Sequence, residues 1–492
     1  MRKMYLLYPA LIALLMGCNG SKPDPEPQPE PPVPPVDVRQ ATVYTTSTAG
    51  ARFAKSTVNL VKAEEVHFYK VERTADSFQS VDGFGAAITQ ASCYNLLQMP
   101  EADRTAFLKE IFSREEGLGL SLIRVCIGGS DFSLDEFTWC DTPGMENFAP
   151  HALDIQYLFP ILDQIFKINP AVKIIGSPWS CPQWMKMSED GKTIPYNSWT
   201  GGRLNPLHYQ EYASYFVRWI QEMENRGYPI YAVTLQNEPL NRGNSMSLYM
   251  PWEDQLDFIK QAVGPAFEAA GLKTRILLFD HNYNYDNISS QRDYPAHILE
   301  DADAAKYVAG SAWHNYGGSV TVLDGIHSRF PDKDIYFTEA SIGEWNYTFD
   351  GCLINDFREI FLGTLGRFGR GVTLWNLMLD SENKPYRPGG CGTCYGAVTL
   401  SAKDYKSLTR NSHYYNLAHC SKVLQTGAVR VGTKGYQTSG LSYQWYQNPD
   451  GSQALLLLNE GTSEVMVNVI SGKDSVPLKI PAKAIQSVIW EN

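Results

Sequence analysis

The sequence is poor in charge and has no excess of positive residues. Charged side chains make up only 19% of its 492 residues, and 42 Lys and Arg stand against 53 Asp and Glu, a formal net charge of −11. A surface of this kind cannot neutralise phosphates, so nucleic acid is not an expected partner. Aromatic residues are plentiful at 12%. They could fill a large core or line a pocket for uncharged ligands, and composition alone leaves both interpretations open.

The usual signatures of metal and cofactor chemistry are also missing. The nine His are scattered, no His-Glu-x-x-His occurs, and no glycine loop of the phosphate-binding or dinucleotide-binding type precedes a helix. The sequence therefore predicts an activity that needs neither a metal nor a cofactor. We also expect a monomer.

No apolar run is long enough to span a bilayer, but the N-terminus carries an export signal. Met4 to Met16 is an apolar stretch of 13 residues behind Arg2 and Lys3, which is typical of a secretory signal. The following Leu15-Met16-Gly17-Cys18 resembles the lipobox of bacterial lipoproteins. Residues 1–18 are therefore predicted to be a lipoprotein signal peptide, with Cys18 acylated. The alternative is an ordinary signal peptide with a chance Cys.

Residues 19–40 are predicted to be a proline-rich linker. Eight prolines lie between Asn19 and Val38, mixed with acidic residues, and such a segment neither forms a helix nor buries a core. As a polyproline II spacer it would extend roughly 60 Å at about 3.1 Å per residue. Together with an acylated Cys18, it predicts a protein anchored to the outer membrane and displayed at the cell surface. A periplasm-facing anchor is the alternative.

Eight cysteines remain besides Cys18, and their pairing cannot be deduced from the sequence. Cys391-Gly-Thr-Cys394 has the spacing of a redox motif. In an exported protein without thioredoxin-like surroundings, it is better interpreted as part of a braced loop.

The middle of the chain alternates between strands and helices. Short apolar, β-branched runs are followed by polar loops and by stretches with the apolar spacing of amphipathic helices. The predicted strands are Gly85–Ile88, Ser121–Ile127, Val172–Ser177, Tyr231–Gln236, Arg275–Phe279, Gly310–His314, Ile335–Thr338 and Gly371–Asn376. The helical patterns include Ile155–Ile168, Leu207–Asn225, Trp252–Ala270 and Leu353–Arg367. Eight such units within residues 78–425 predict an α/β fold, a catalytic (β/α)₈ TIM barrel.

The two flanks of this region have no helical period. Residues 41–77 and 426–492 show alternating strands, with turn signals such as Asn448-Pro449-Asp450-Gly451. We expect both flanks to form one side β-sandwich beside the barrel.

Function in such a barrel is expected at the carboxyl ends of the strands. The residues that leave the predicted strands are rich in carboxylates, amides and tryptophan. In chain order they are Thr89-Gln90, Arg124, Trp179, Asn237-Glu238, Asp280-His281-Asn282, His314-Asn315-Tyr316, Glu339 and Trp375-Asn376. The strand ends of an arbitrary barrel would show only one or two carboxylates, amides or tryptophans. This set therefore predicts a polar site with aromatic walls.

Glu238 and Glu339 stand out within this set. They are about three βα units apart, which places them at the ends of strands four and seven, across one barrel mouth. Cleavage of an acetal needs a proton donor for the leaving oxygen and a second carboxylate for the anomeric carbon, and a pair about 5–5.5 Å apart gives retention. A salt bridge to an arginine would explain one such glutamate. It does not explain both, with Asn237 directly before one of them.

The ordered motifs of the chain resemble glycoside hydrolase family 30. The matching segments are Gly83-Phe-Gly-Ala-Ala-Ile-Thr89, Ile123-Arg-Val125, Ser177-Pro-Trp-Ser-Cys-Pro-Gln-Trp-Met-Lys186, Gln236-Asn-Glu-Pro239, Trp313-His-Asn-Tyr316, Thr338-Glu339 and Leu374-Trp-Asn376. That family contains glucosylceramidases and endo-β-1,6-glucanases. The resemblance covers nearly the whole mature chain, and it implies a barrel with a side sandwich, retaining chemistry and no cofactor.

The resemblance also implies roles for individual residues. Glu238 matches the acid/base and Glu339 the nucleophile. Tyr316 matches the hydroxyl that holds the nucleophile, and Arg124 the buried cation beside the carboxylates. Such a cation is expected to keep Glu339 ionised, while the neighbouring negative charge raises the pKa of Glu238 and keeps it protonated.

Five further residues are expected to bind the sugar. Asn237 matches the amide that hydrogen-bonds the sugar 2-OH, and Trp179 and Trp375 match aromatic walls around the sugar that is cleaved. His314 and Gln90 complete the predicted substrate-binding set.

The chain departs from glucosylceramidases at Gln90. Those enzymes usually read Thr-Asp-Ala, whereas this sequence reads Thr89-Gln90-Ala91, and the lost charge argues against a tight clamp on a terminal glucose. The loop 389–396 also resembles the bacterial glucanase branch. We therefore predict a retaining endo-β-1,6-glucanase acting on β-glucan. The alternatives are an exo-acting β-glucosidase or glucosylceramidase and, from another class, a non-catalytic surface lipoprotein that binds glycans.

Three more aromatic residues lie near these motifs. Trp184 is expected to be structural. Trp345 and Tyr347 follow Glu339 closely, where they would form either an acceptor subsite or a plain exposed loop.

Overall fold

The computed structural model describes residues 39–283 and 288–491. The predicted signal peptide, Cys18 and nearly all of the linker lie outside these ranges. Within them, no helix has both the length and the apolar character that crossing a membrane requires.

Eight parallel strands form a closed barrel, as the βα alternation predicts. Strands one to eight are Gly83–Ala86, Leu122–Cys126, Lys173–Ser177, Ile230–Thr234, Arg275–Asn282, Val308–His314, Asp334–Glu339 and Gly369–Leu374. Strand eight pairs with strand one, and a bridge between Ala87 and Arg124 joins strands one and two. A layer of fully buried residues fills the interior: Leu122, Ile175, Ala232, Leu277, Ala312 and Tyr336. All eight predicted strands are confirmed, with shifts of a few residues at their ends.

Helices pack around the barrel, and most of them bury one face, whereas Ser412–Val423 is buried on all sides. Their bounds are Gln90–Gln98, Glu101–Phe112, Phe159–Ile168, Tyr209–Asn225, Trp252–Phe258, Gly264–Ala269, Tyr294–Leu299, Ala302–Ala305, Val322–Arg329, Phe349–Asp356, Gly363–Gly366 and Ser412–Val423. In Tyr209–Asn225, the buried residues Tyr212, Phe216, Trp219 and Met223 recur every three or four positions, the spacing of a helix face turned to the core.

Three of the predicted helices differ in detail, because each contains a π-helical turn. These turns are Asp154–Leu158, Ile259–Val263 and Phe357–Leu362. Pro160 and Pro265 follow two of them closely, and a proline has no N–H for the regular helical hydrogen bond. The loops also contain short 3₁₀ turns at Ala63–Glu65, Met145–Asn147, Gln183–Met185, Pro206–His208 and Ser289–Gln291.

Short strands stiffen the loops between barrel strands and helices. Ile342–Gly343 pairs with Cys394–Tyr395, Lys186–Met187 pairs with Arg203–Leu204, and Met378–Asp380, Val398–Leu400 and Leu408–Arg410 form a three-stranded sheet. Cys391 and Cys394 form a disulfide, which confirms the braced loop. The other cysteines in the described ranges, at 93, 126, 140, 181, 352 and 420, are free thiols.

The remaining strands form one ten-stranded sheet from both ends of the chain. They are Gln40–Ser47, Ala54–Asn59, Val61–Lys62, Lys70–Ser80, Val429–Gly435, Leu441–Gln447, Gln453–Asn459, Val465–Ser471, Asp474–Ile480 and Ala484–Trp490. Gln40–Ser47 pairs with Ala484–Trp490, and Lys70–Ser80 pairs with Val429–Gly435, so the composite side sandwich is confirmed. The predicted boundary at residue 77 falls inside Lys70–Ser80, because this strand continues almost to the first barrel strand.

Candidate active site

The two glutamates lie at the carboxyl end of the barrel, as predicted. Glu339 is the last residue of strand seven, and Glu238 lies just past strand four; their exposed fractions are only 6% and 7%. Glu238 has a φ of 45°, and Asp280 and Asn376 at neighbouring strand ends have φ values of 60° and 58°. Non-glycine residues rarely adopt this left-handed conformation, and it concentrates where surrounding packing holds a functional side chain in place.

Arg124 is the fully buried cation that connects the polar residues of the site. Its Nη1 donates to Glu339 Oε2 at 2.5 Å, and its Nη2 donates to Asp280 Oδ2 at 2.7 Å and Asn237 Oδ1 at 2.6 Å. Burial opposes the charge of Arg124, but the negative charges of Asp280 and Glu339 outweigh it and raise its pKa. The expected cation beside the carboxylates is therefore present.

Asp280 is a permanent anion beneath the site. Its Oδ2 accepts from Arg124, Ser177 and Thr234, and its Oδ1 accepts from Thr338 at 2.6 Å. Burial alone would raise the pKa of Asp280, but the charge of Arg124 and the remaining hydrogen bonds lower it well below its usual range.

His314 lies between two carboxylates. Its Nε2 is 3.0 Å from Asp280 Oδ1 and its Nδ1 is 3.2 Å from Glu238 Oε1. Nδ1 also lies 3.9 Å from Glu339 Oε1. Burial would lower the pKa of His314, but these three carboxylates raise it to about 9. The imidazole is therefore protonated in the unliganded site at neutral pH.

The expected protonation of Glu238 is wrong for this unliganded site. Burial does favour a higher pKa, but the hydrogen bond from His314 and the positive charge of His281 lower the pKa of Glu238 to about 2. Asn241 Nδ2 also donates to Glu238 Oε2 at 2.7 Å. Glu238 and His314 therefore share one proton across their hydrogen bond, and their titration belongs to the pair. For Glu339, burial raises the pKa, against the opposing positive charges of His314 and Arg124.

The predicted aromatic walls meet in the structure. Trp179 and Trp375 are almost fully buried and stack with ring centroids 5.1 Å apart and 25° between their planes. The guanidinium of Arg124 lies 4.9 Å from the Trp179 ring. Tyr316 donates from its hydroxyl to Glu339 Oε1 at 3.2 Å, which is the expected contact with this carboxylate.

Gln90 has an internal partner rather than an open side chain. Its Oε1 accepts from the backbone N–H of Leu134 at 2.7 Å, so it fastens the loop that follows strand two. A direct contact of Gln90 with substrate stays a prediction.

The same loop carries Asp131, which sequence reasoning missed. Asp131 is buried, and within the described part of the chain its Oδ1 has no hydrogen-bond partner. Burial raises the pKa of Asp131 well above its usual range, and the charges of Glu339 and Glu238 raise it further. An available signal was Gly128-Gly-Ser-Asp131, where two glycines precede a carboxyl at a strand exit.

One cluster in the site has the donor spacing of a metal centre. A carboxylate oxygen of Glu238 and one ring nitrogen each from His281 and His314 lie within 4.8 Å of one another. The protonated state of His314 works against metal binding, because a ligating imidazole must be neutral. Elsewhere, Trp184 donates from Nε1 to the carbonyl of Cys140 at 2.8 Å, in agreement with its expected structural role.

Comparisons with known proteins agree with this geometry. The family model "Glycosyl hydrolase family 30 TIM-barrel domain" matches residues 81–424, and "Glycosyl hydrolase family 30 beta sandwich domain" matches residues 427–488. The chain is 34% identical over 412 residues to endo-1,6-beta-D-glucanase BGN16.3 of Trichoderma harzianum, covering 80% of each protein. It is 28% identical over 434 residues to the lysosomal acid glucosylceramidase of Mus musculus, covering 84% of this chain and 81% of that one.

Two solved structures have a fold similar to that of this chain. The endo-beta1,6-glucanase BT3312 superposes with a TM-score of 0.89 at 49% identity, covering 92% of this chain and 100% of that one. SrfJ from salmonella typhimurium superposes with a TM-score of 0.82 at 22% identity, over 92% of this chain and 100% of that one, a likeness of fold.

Proposed function

The chain belongs to glycosyl hydrolase family 30 and is a glycoside hydrolase; we propose that it cleaves β-1,6-glucan internally, with retention of the anomeric configuration. Two relatives named as endo-β-1,6-glucanases, at 34% and 49% identity over most of the chain, support this substrate. The roles of Glu238, Glu339 and His314 follow from the geometry of the site.

The observation that carries the proposal is the closeness of the two glutamates. One atom, Nδ1 of His314, lies within 4 Å of both Glu238 Oε1 and Glu339 Oε1. These distances keep the two carboxylate oxygens within about 7 Å of each other, a span that includes the roughly 5–5.5 Å separation at which one carboxylate attacks the anomeric carbon directly.

Glu339 is the nucleophile in this proposal. Arg124 holds one of its oxygens at 2.5 Å, and Tyr316 holds the other at 3.2 Å, which fixes the carboxylate beneath the anomeric carbon. Attack forms the glycosyl ester, and Glu238 gives a proton to the leaving oxygen. In the second step Glu238 takes a proton from water, which attacks the anomeric carbon and releases Glu339.

The proton for the first step comes through His314. Transfer of its Nδ1 proton to Glu238 leaves a neutral ring whose Nε2–H still donates to Asp280. No hydrogen bond of the ring is lost, so the general acid is formed without a buried unpaired group.

The sugar is held by neutral polar and aromatic contacts. Arg124 donates a hydrogen bond to the side-chain oxygen of Asn237. The NH₂ of Asn237 is therefore the group that donates to the sugar 2-OH. Trp179 and Trp375 pack against the C–H faces of the same ring. A low overall charge suits such a cleft for an uncharged polymer.

Product analysis on a linear β-1,6-glucan tests the proposal. Oligosaccharides of mixed length should dominate early in the reaction, and ¹H NMR of fresh products should show the β anomer first. Release of glucose alone from the start, or of the α anomer first, would overturn the endo or the retaining part respectively. Parallel assays on β-1,3- and β-1,4-glucans establish the linkage.

Asp131 favours a second candidate, an exo-acting glucosidase or glucosylceramidase. A buried carboxyl whose Oδ1 has no hydrogen-bond partner in the described part of the chain can bind the hydroxyls of a terminal glucose, and the mouse glucosylceramidase is a relative at 28% identity. Hydrolysis of a glucosyl lipid faster than of β-1,6-glucan would favour this candidate. A purely glycan-binding role has no such support, because Glu238 and Glu339 are both present and both have hydrogen-bond partners in the site.

We also propose that Cys18 anchors the enzyme to the outer membrane by its acyl chains, with the proline-rich linker as spacer. The wild type should sediment with membranes, and a Cys18→Ser variant should appear in the soluble fraction. Protease accessibility in intact cells distinguishes surface display from a periplasmic orientation.

A further inference from the structure

A cavity beside the catalytic pair is lined, apart from Tyr316, by residues that the proposed mechanism does not use. It has a volume of about 490 Å³ and lies between the loops that follow strands six and seven. Tyr316, whose hydroxyl contacts Glu339, forms one part of its lining, and Trp345 forms another. Asn315 and Asn346 add amides, which are uncharged and can donate and accept. This lining suits a neutral sugar.

Trp345 is half exposed, yet its position is well defined. Its exposed fraction is 52%. The six-membered part of its indole lies directly over Gly343, where a Cβ would overlap both this ring and the carbonyl oxygen of Thr393. The neighbouring Glu344 donates from its N–H to Thr393 O at 2.9 Å and accepts from Asn383 Nδ2 at 2.9 Å. One side of the indole is therefore supported by protein while the rest faces the solvent.

The support for Trp345 is a loop closed by a disulfide. Ile342–Gly343 pairs with Cys394–Tyr395, and the Cys391–Cys394 bond closes the turn that leads into the second strand. Tyr347, which was predicted together with Trp345, has a different role: its hydroxyl accepts from the backbone N–H of Ser412 at 3.2 Å. Of Trp345 and Tyr347, it is Trp345 that lines the cavity and has an exposed ring.

Trp345 lies across the barrel mouth from Trp179 and Asp131. Trp179 follows strand three and Asp131 follows strand two, so these two residues lie on one side of the barrel mouth. The cavity with Tyr316 and Trp345 lies beyond strands six and seven, across the barrel from them and next to strand eight, which Trp375 follows.

We infer that Trp345, supported by the Cys391–Cys394 loop, is the binding platform of the acceptor subsite and stacks on a glucosyl unit of β-1,6-glucan. This inference rests on the proposed function. In the second half of a retaining reaction, the C6 hydroxyl of a sugar in this subsite replaces water. Its oxygen bonds to the anomeric carbon and its proton goes to Glu238. The bond from the anomeric carbon to Glu339 breaks, and the electron pair returns to that carboxylate.

The test separates this subsite from the rest of catalysis. A 2-deoxy-2-fluoro-β-glucosyl fluoride traps the ester on Glu339, and reactivation is then timed in buffer and with gentiobiose, a β-1,6-linked disaccharide of glucose. Gentiobiose should accelerate reactivation of the wild type with saturation. In Trp345→Ala the acceptor-dependent rate at low gentiobiose should fall about tenfold, the usual scale for one aromatic contact, while the rate in water stays unchanged.

Two variants control this result. Trp345→Phe keeps a flat ring and should retain most of the gentiobiose effect. Phe68→Ala removes another exposed aromatic residue, 74% exposed and distant in sequence from the site, and should behave as wild type. Equal gentiobiose dependence in Trp345→Ala and wild type overturns the subsite. If the ester does not accumulate, kcat/KM on a β-1,6-linked glucotetraose and on β-glucosyl fluoride gives the same comparison.

The disulfide is tested separately. A Cys391→Ser, Cys394→Ser double variant should weaken gentiobiose-dependent reactivation and leave the water rate unchanged. An unaltered gentiobiose dependence overturns the role of the brace. Failure of the wild type to hydrolyse β-1,6-glucan would instead refute the proposed function, so the two failures are distinguishable.

Discussion

Nδ1 of His314 lies 3.2 Å from Oε1 of Glu238, and both side chains are buried. One proton is shared across this contact, and the strong anion Asp280 on the other side of the ring biases it toward the imidazole. The general acid of the proposed mechanism is therefore a pair of residues, and its titration belongs to the pair.

Removal of the imidazole should move the basic limb of the pH profile. The pKa of His314 is raised to about 9, so the pair keeps its proton up to that range. In His314→Asn the proton must reside on Glu238 alone, and the basic limb of kcat/KM should shift down by about one pH unit or more. The loss of activity should be larger at pH 8 than at pH 5.5. A uniform loss across the pH range would indicate a purely structural role for His314.

Substitution of the nucleophile should abolish turnover but not binding. Glu339→Gln keeps an oxygen that accepts from Arg124, and its NH₂ can donate to the Tyr316 hydroxyl oxygen. It removes the attacking carboxylate, so the rate should fall by orders of magnitude while oligosaccharide binding, measured by calorimetry, persists.

Azide distinguishes the two glutamates in a second experiment. Glu339→Ala with azide should give the α-glucosyl azide, because azide replaces the nucleophile. Glu238→Ala should give the β-glucosyl azide through the ester on Glu339. The reverse pattern would exchange the two assignments.

The activity should survive replacement of the Asp131 carboxyl by an amide but not the loss of a polar side chain at this position. Burial and the two catalytic carboxylates raise the pKa of Asp131 well above the usual range, which favours the neutral form. Asp131→Asn should therefore retain much more kcat/KM than Asp131→Ala, each compared at equal folded fraction by circular dichroism. Equal damage in both variants would mean that an ionised carboxylate is required.

Chelation should leave the activity unchanged, whereas added Zn²⁺ should inhibit. Glu238, His281 and His314 have the donor spacing of a metal site, but ligation requires loss of the His314 proton. Inhibition should therefore strengthen as the pH rises toward about 9. Loss of activity in EDTA that is restored by a metal would show that the reaction needs the ion.

Acid should destabilise the protein through His419. This side chain is fully buried between Ser487 and Thr46, and burial lowers its pKa to about 3. The unfolded chain binds this proton near pH 6.5, so the stabilisation is complete above that pH and is lost as the pH falls toward 3, at about 1.4 kcal/mol per pH unit. Urea titrations of wild type and His419→Gln at pH 7, 5 and 4 should show a shallower slope in the variant. Identical slopes would exclude His419 as the source.

Much of the fold could be predicted because its signals are local. The strand periodicity and the helix face of Tyr209–Asn225 are repeated within short segments. The π-helical turns were not predictable, because they depend on one missing hydrogen bond near residues such as Pro265 in an otherwise regular helical pattern.

The sequence by itself determined the order of strands and helices and the residues that leave each strand. A closed parallel barrel places all carboxyl ends on one face, so Glu238 and Glu339 had to meet once the barrel was recognised. The tertiary structure alone decided that His314 and Glu238 share a proton, that Gln90 accepts a hydrogen bond from Leu134, and that Asp131 lies near the glutamates. It also separated Trp345 from Tyr347. These properties depend on burial and on distances between residues far apart in the chain, and electrostatic interactions change steeply over those distances in a low-dielectric interior.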